Sequence, residues 1–382
     1  MQNIELLFEK NHNQISKGIR KKIRYNPQMH RLEYYMNTKI FCGDDILDII
    51  SVINFVNDVY RGQKLPIAFI CKNFEFSDKL VYIILECICQ FLLIDKRQQI
   101  YFVCDAKTTI WSEGINFSPL KYLNDRELFQ KFFMNDLQAR HFRKVISAEA
   151  KDDGADLSKL MQEIECFLIN NGVSEKGSEE LSEVLAELVG NSREHAKTDT
   201  LIDIDITNTT YKKKNDENIY YGMNTAIINF SPRLFFEPLK EKIESGIDLP
   251  DKYQYVKKAY EYHREYFGEA YEENDFYTLS SFQDKISGSM SKTMGGRGLT
   301  TLISSLEEQA DTHLCYMLSG NTVFFLLKEY LCYDDNRLIG FNKNADYLTE
   351  IPDKQILKKI ATFMPGTSYN LSFAIRKEWS LE

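Results

Sequence analysis

The longest apolar run of this chain, Leu80 to Ile94, is interrupted by Glu86 and Gln90. It stops short of the ~20 residues that a helix needs to cross a bilayer. It reads instead as an internal helix over Asp78 to Ile94, with Ser77 in the N-cap position, where a hydroxyl can accept from an orphan backbone N–H. Strand patterns flank it: Pro66 to Lys72 (PIAFICK) before and Gln99 to Cys104 (QIYFVC) after. Upstream, Thr38 to Cys42 is a short strand candidate and Asp44 to Tyr60 has helical apolar spacing. Strands alternating with helices predict a small α/β unit.

At 382 residues the chain is long for one domain, and ~100–200 residues per domain gives two. Residues 1–122 form the N-terminal α/β unit in this reading. Residues 123–153, rich in Phe, Leu and charges up to the loop signal at Lys151 to Gly154, read as a helical connector. Residues 154–382 make the second domain. A formal charge of −9 argues against a protein built to grip phosphate backbones. The basic cluster Lys17, Arg20, Lys21, Lys22 and Arg24 reads as a solvated helix face, so no nucleic acid is expected. The N-terminus carries acids and lacks an apolar segment followed by small residues, so no secretory signal is expected there. The eight cysteines form no C-x-x-C pair, and the six histidines do not gather near them. Free thiols in a reducing cytoplasm, away from a membrane, are the expectation.

The second half is more patterned. Leu157 to Asn170 and about Ser178 to Ala196 read as helices. Thr200 to Thr207 alternates as a half-buried strand, and a further strand runs from Ile219 to Phe230. A long Tyr-, Glu- and Lys-rich insertion, about 234–286, contains the helical stretch DKYQYVKKAYEYHREYF. Near the end, Gly320-Asn321 between HLCYMLS and TVFFLLK reads as a two-residue hairpin turn. The layout implied is helices against a mostly antiparallel sheet.

Within the helix LSEVLAELVGNSREHA, Leu181, Val184, Leu185, Leu188 and Val189 share one face at 100° per residue. Glu183, Glu187, Asn191 and Glu194 share another, without the lysines that usually intersperse surface glutamates. A carboxylate and a carboxamide one turn apart can organise a hard divalent cation, water supplying the other ligands; a solvated acidic face is the simpler alternative. Further on, the small polar run Ser287 to Thr293 precedes Met294-Gly295-Gly296-Arg297-Gly298-Leu299, which opens an apolar-periodic helix. Glycines before a helix let backbone N–H groups approach an anion, with Lys292 and Arg297 as countercharge.

ELVGNSREHA resembles the N-box of the GHKL (Bergerat-fold) superfamily of histidine-kinase-like ATPases. MGGRGLTTLISSLEEQADTHLCYMLSGNTVFFLL is similar to that superfamily's second glycine box and closing strands, most of all in the anti-sigma factor serine kinases. The resemblance covers roughly Leu157 to Leu327, about half the chain. The resemblance implies a Bergerat-type α/β sandwich with helices on one face of a mixed, mostly antiparallel sheet. It implies ATP and Mg²⁺, with Asn191 as metal ligand and Glu187 as the acid that polarises the attacking water or hydroxyl. Gly296 and Gly298 would shape the lid hinge around the phosphates, with Arg297 as a phosphate contact, and Lys292, Gly295 and Leu299 complete the expected cofactor-binding set. His195, beside the site, reads as a histidine that packs the helix or supports the residues of the site. Where the family has Asp-x-Gly-x-Gly, this chain has Ile228-Asn229-Phe230-Ser231-Pro232, so Asn229 takes the adenine-reading place with a neutral amide, a weaker partner than a carboxylate. The N-terminal third loosely resembles a STAS domain, with Ser77 in the comparable place to its phosphoacceptor. The activity implied is that of a Mg-dependent ATPase or serine/threonine protein kinase in regulation, with a protein partner or a second copy of itself. The alternative is a nucleotide-gated partner-binding switch with little turnover.

Overall fold

The computed structural model describes residues 1–12, 18–60, 63–104, 113–148, 155–192, 196–212, 217–245, 249–284, 286, 302 and 315–376. Its class is α/β, as the sequence patterns predict. The N-terminal unit opens with short helices α1 (Glu5–Lys10) and α2 (Ile19–Lys22), then strands β1 (Ile23–Asn26) and β2 (Arg31–Tyr35). There follow β3 (Ile40–Phe41), α3 (Gly43–Val59), β4 (Ile67–Cys71), β5 (Glu75–Phe76), α4 (Lys79–Gln90) and β6 (Ile100–Cys104). Strands β2, β4 and β6 run parallel, β1 pairs antiparallel at the edge, and β3 and β5 make a separate two-stranded ladder. Asp78, rather than Ser77, caps α4: its carboxylate accepts from the Val81 amide at 3.0 Å, and the Ser77 hydroxyl donates to that carboxylate. A charged acceptor makes the stronger cap bond.

Helix α5 (Arg126–Met134), capped by Asp125, leads into a hairpin of β7 (Asn135–Gln138) and β8 (His141–Ile146). The expected helical connector over 123–153 is thus a nine-residue helix followed by two strands, and these strands belong to the C-terminal sheet. The strand pattern is hidden because His141 and Arg143 sit where a core strand would carry apolar residues. Next come α6 (Ala155–Asn170), α7 (Glu175–Asn191), β9 (Thr200–Lys212) and β10 (Ile219–Asn229). The insertion folds as α8 (Glu237–Glu244), α9 (Lys252–His263) and α10 (Glu273–Ser280), and the chain closes with β11 (Tyr316–Phe325) and β12 (Leu357–Arg376). The sheet order is β11-β12-β10-β9-β8-β7, antiparallel throughout. No hairpin forms at Gly320-Asn321. Strand β11 runs straight through, and Gly320, at φ +60°, marks shifts of register against β12. The same glycine chemistry that serves a tight turn serves a bulge.

Two buried clusters divide the molecule into layers. One face of the six-stranded sheet packs on α6, α7 and the insertion helices. The other, through Leu201, Ala226, Ile228, Phe230 and Met364, packs on the N-terminal helices, which themselves back onto β2, β4 and β6. Helices therefore cover both faces of this sheet, not one. Every residue of α4 is buried, which explains a helix apolar on all sides. Among the described residues no helix is long and apolar enough to cross a membrane.

The α4–sheet contact is not purely apolar. Arg143 on β8 binds Glu86 of α4 and Asp203 of β9, each at 2.5 Å, and Lys79 of α4 binds Asp203 at 2.6 Å and Asp205 at 3.2 Å. His141 bridges Asp136 and Asp203 at 2.8 and 2.9 Å, with Phe117 stacked on its ring. Burial alone would raise the Asp203 carboxyl, but Arg143, Lys79 and His141 outweigh it and hold it well below the usual carboxylate range. Burial likewise opposes the His141 charge, yet Asp203 and Asp136 prevail and its pKa is raised. The folded state therefore binds the imidazole proton more tightly than the unfolded chain. This contribution to stability is complete below pH 6.5, the ordinary histidine value, and fades as pH rises through the raised folded value. The difference in urea midpoint between the unaltered chain and His141→Asn should therefore shrink from pH 6 towards pH 9; a difference that grows with pH would contradict this arrangement.

Candidate functional site

Helix α7 presents Leu181, Val184, Leu185, Leu188 and Val189 to the core, leaves Glu183 exposed, and places Glu187 and Asn191 half-buried along the wall of a cleft. The floor comes from the sheet. Strand β10 ends at Asn229, which pairs with Thr200 of β9 and Thr367 of β12. Asn229 and Thr367 line the same cleft as Glu187 and Asn191, a space of about 810 Å³ including its open mouth. Three residues singled out from sequence, separated by up to 42 positions (229 − 187), thus meet in one place.

The orientation of Asn229 follows from its neighbour. Ser192, one residue beyond α7, donates its hydroxyl proton to the Leu188 carbonyl at 3.2 Å and accepts from Asn229 Nδ2 at 2.8 Å. Its single proton being committed, the carboxamide nitrogen of Asn229 faces Ser192 and the carbonyl oxygen points away. That Oδ1 is buried and has no hydrogen-bond partner among the described residues, an arrangement a folded chain seldom keeps without a reason. Gly366, at φ +84°, lies against it: a Cβ there would stand 2.6 Å from Asn229 Oδ1 and 2.6 Å from its backbone oxygen.

The insertion supplies the remaining wall. Leu234, Phe235, Pro238 and Leu239 enter from its start, and Ser281, Gln283 and Ile286 from its end. It is no loose flap, since Tyr253, Val256, Phe276 and Phe282 are buried in the main core and Phe282 stacks on Phe324 at 4.9 Å. Among the described lining residues, Glu187 and Arg233 are the charged ones. No cluster of three or more His, Cys, Asp or Glu fit to hold a metal occurs among the described residues. Glu194, His195, Lys292, Gly295, Gly296, Arg297, Gly298 and Leu299 lie outside the described residues. Sequence reasoning missed Ser192, Arg233, Gly366, Thr367 and Tyr369. The Pro365-Gly366 pair is a turn signal that marked the spot, whereas nothing local pointed to the others. Comparisons with family models, curated proteins and solved structures return no match for this chain.

Proposed function

We propose that this chain is an ATP-binding regulatory protein of GHKL type with a Bergerat-type C-terminal domain, acting in the cytoplasm as a Mg-dependent ATPase or serine/threonine protein kinase. One observation carries the reading: Glu187, Asn191 and Asn229, whose buried carbonyl oxygen has no partner among the described residues, line one cleft. In this reading Asn229 Oδ1 accepts from the exocyclic amine of adenine. Asn191 offers its carboxamide oxygen to Mg²⁺, which when bound would neutralise phosphate charge. Glu187 accepts the proton of the attacking water or hydroxyl; phosphoryl transfer asks mainly for such positioning and charge stabilisation. The free thiols Cys87, Cys89 and Cys315 agree with a reducing compartment.

The insertion walling the cleft favours a second reading, a switch in which bound nucleotide sets the surface offered to a protein partner or a second copy. Thermal melts test both. Mg-ATP at a hundred times its Kd should stabilise the chain by about 2.7 kcal/mol, and Asn191→Ala should remove the part that depends on Mg²⁺. Failure of ATP, GTP, CTP and UTP alike to raise Tm sinks both readings. Glu187→Gln then separates them: an enzyme loses turnover while still binding ATP, whereas a switch keeps its partner response.

A further inference from the structure

We propose that Arg233 is an anion-binding residue of this cleft and that Glu241 is its built-in competitor. The inference rests on the nucleotide reading and goes beyond it by naming what receives the phosphates. Arg233 is the one cationic side chain among the described lining residues, and Glu187 across the same space repels any anion that enters. Its backbone is fixed. The Arg233 amide donates to Ser231 Oγ at 3.0 Å and the Leu234 amide to Glu237 at 3.2 Å. The Phe235 amide donates to Ser319 Oγ at 3.1 Å, which in turn donates to the Gly366 carbonyl at 2.6 Å. The turn that carries Arg233 is thereby tied to the strand position that abuts Asn229.

The side chain is held differently. Its guanidinium pairs with Glu241 of α8, and the two side chains are 39% and 61% exposed. An exposed pair of this kind contributes little, so it is readily exchanged. A terminal phosphate presents more charge and a matching pair of oxygens to the guanidinium fork, and wins the exchange. Glu241 then releases Arg233 to the ligand, and α8, whose Pro238 and Leu239 line the cleft, loses that tether.

Calorimetric titration of the full chain with Mg-ATP and with adenosine tests this. Arg233→Ala should weaken Mg-ATP by about ten- to a hundredfold, the value of a hydrogen-bonded charge, and leave adenosine unchanged. Glu241→Gln should tighten Mg-ATP by about two- to fivefold, the worth of the exposed pair it removes, again without effect on adenosine. Unchanged Mg-ATP affinity in Arg233→Ala overturns the proposal while the nucleotide reading stands. Equal losses for adenosine and Mg-ATP overturn it too, since the guanidinium would then be reading the base. If the unaltered chain binds neither ligand, the nucleotide reading itself fails.

Discussion

Arg143→Met should destabilise the whole chain by about 3–5 kcal/mol, read as a fall in urea midpoint. Arg143 is 1% exposed and its guanidinium serves Glu86 and Asp203 together. Methionine fills a similar volume, so little of the loss comes from packing. What remains is a Glu86 carboxylate in a fully buried helix, with the Ser118 hydroxyl alone to bind it among the described residues. Burial already raises the Glu86 pKa against the pull of Arg143; without that pull the group takes up a proton or drags α4 off the sheet. Asp203 suffers less, because Lys79 and His141 stay. The double change Glu86→Leu with Arg143→Met removes the orphan and should recover much of the loss, since an apolar replacement of a buried pair is often neutral or better. Because Lys79 still joins α4 to Asp203 and Asp205 of β9, and the N-terminal helices share a buried cluster with the sheet, both variants should still unfold in one transition. A loss under about 1 kcal/mol for Arg143→Met would mean that water reaches the cluster and that the two units are not held through it.

The same cluster explains why the sequence told its story unevenly. Strands β4 and β6 were legible as short apolar runs and β10 as a largely apolar one, whereas β9 and helix α7 were legible because apolar residues there follow the period of the element. Hairpin β7–β8 was not, because its inward positions are ionic and hydropathy counts a paired, buried arginine as a surface residue. Glu86 interrupted the apolar run without naming its partner, 57 positions away on another element. At the cleft, Glu187 and Asn191 were legible from helical spacing, and Asn229 through family resemblance. Arg233, Ser192 and Thr367 join them only because β10 pairs with β12 and α7 ends above that pair, facts of tertiary register that no local window contains.

Gly366→Ala should damage stability and ligand binding together, by two causes that can be separated. The first is backbone strain: φ of +84° lies where an L side chain costs about 1–2 kcal/mol. Gly172, at φ +81° with nothing within 4 Å of its virtual Cβ, isolates that term, so Gly172→Ala should show the strain alone. The second is collision. At Gly366 the added methyl would stand 2.6 Å from both oxygens of Asn229 and 2.8 Å from the Ser231 amide, distances that backbone atoms must open. Overpacking of this kind adds about 1–3 kcal/mol, so Gly366→Ala should lose clearly more than Gly172→Ala in the same denaturation series. The displaced group is Asn229, tied by its nitrogen to Ser192 and, in the nucleotide reading proposed above, the acceptor for the adenine amine. Mg-ATP should therefore no longer raise Tm in Gly366→Ala, while Gly172→Ala keeps the full shift. If both variants bind nucleotide like the unaltered chain, Asn229 tolerates displacement and is not what reads the base.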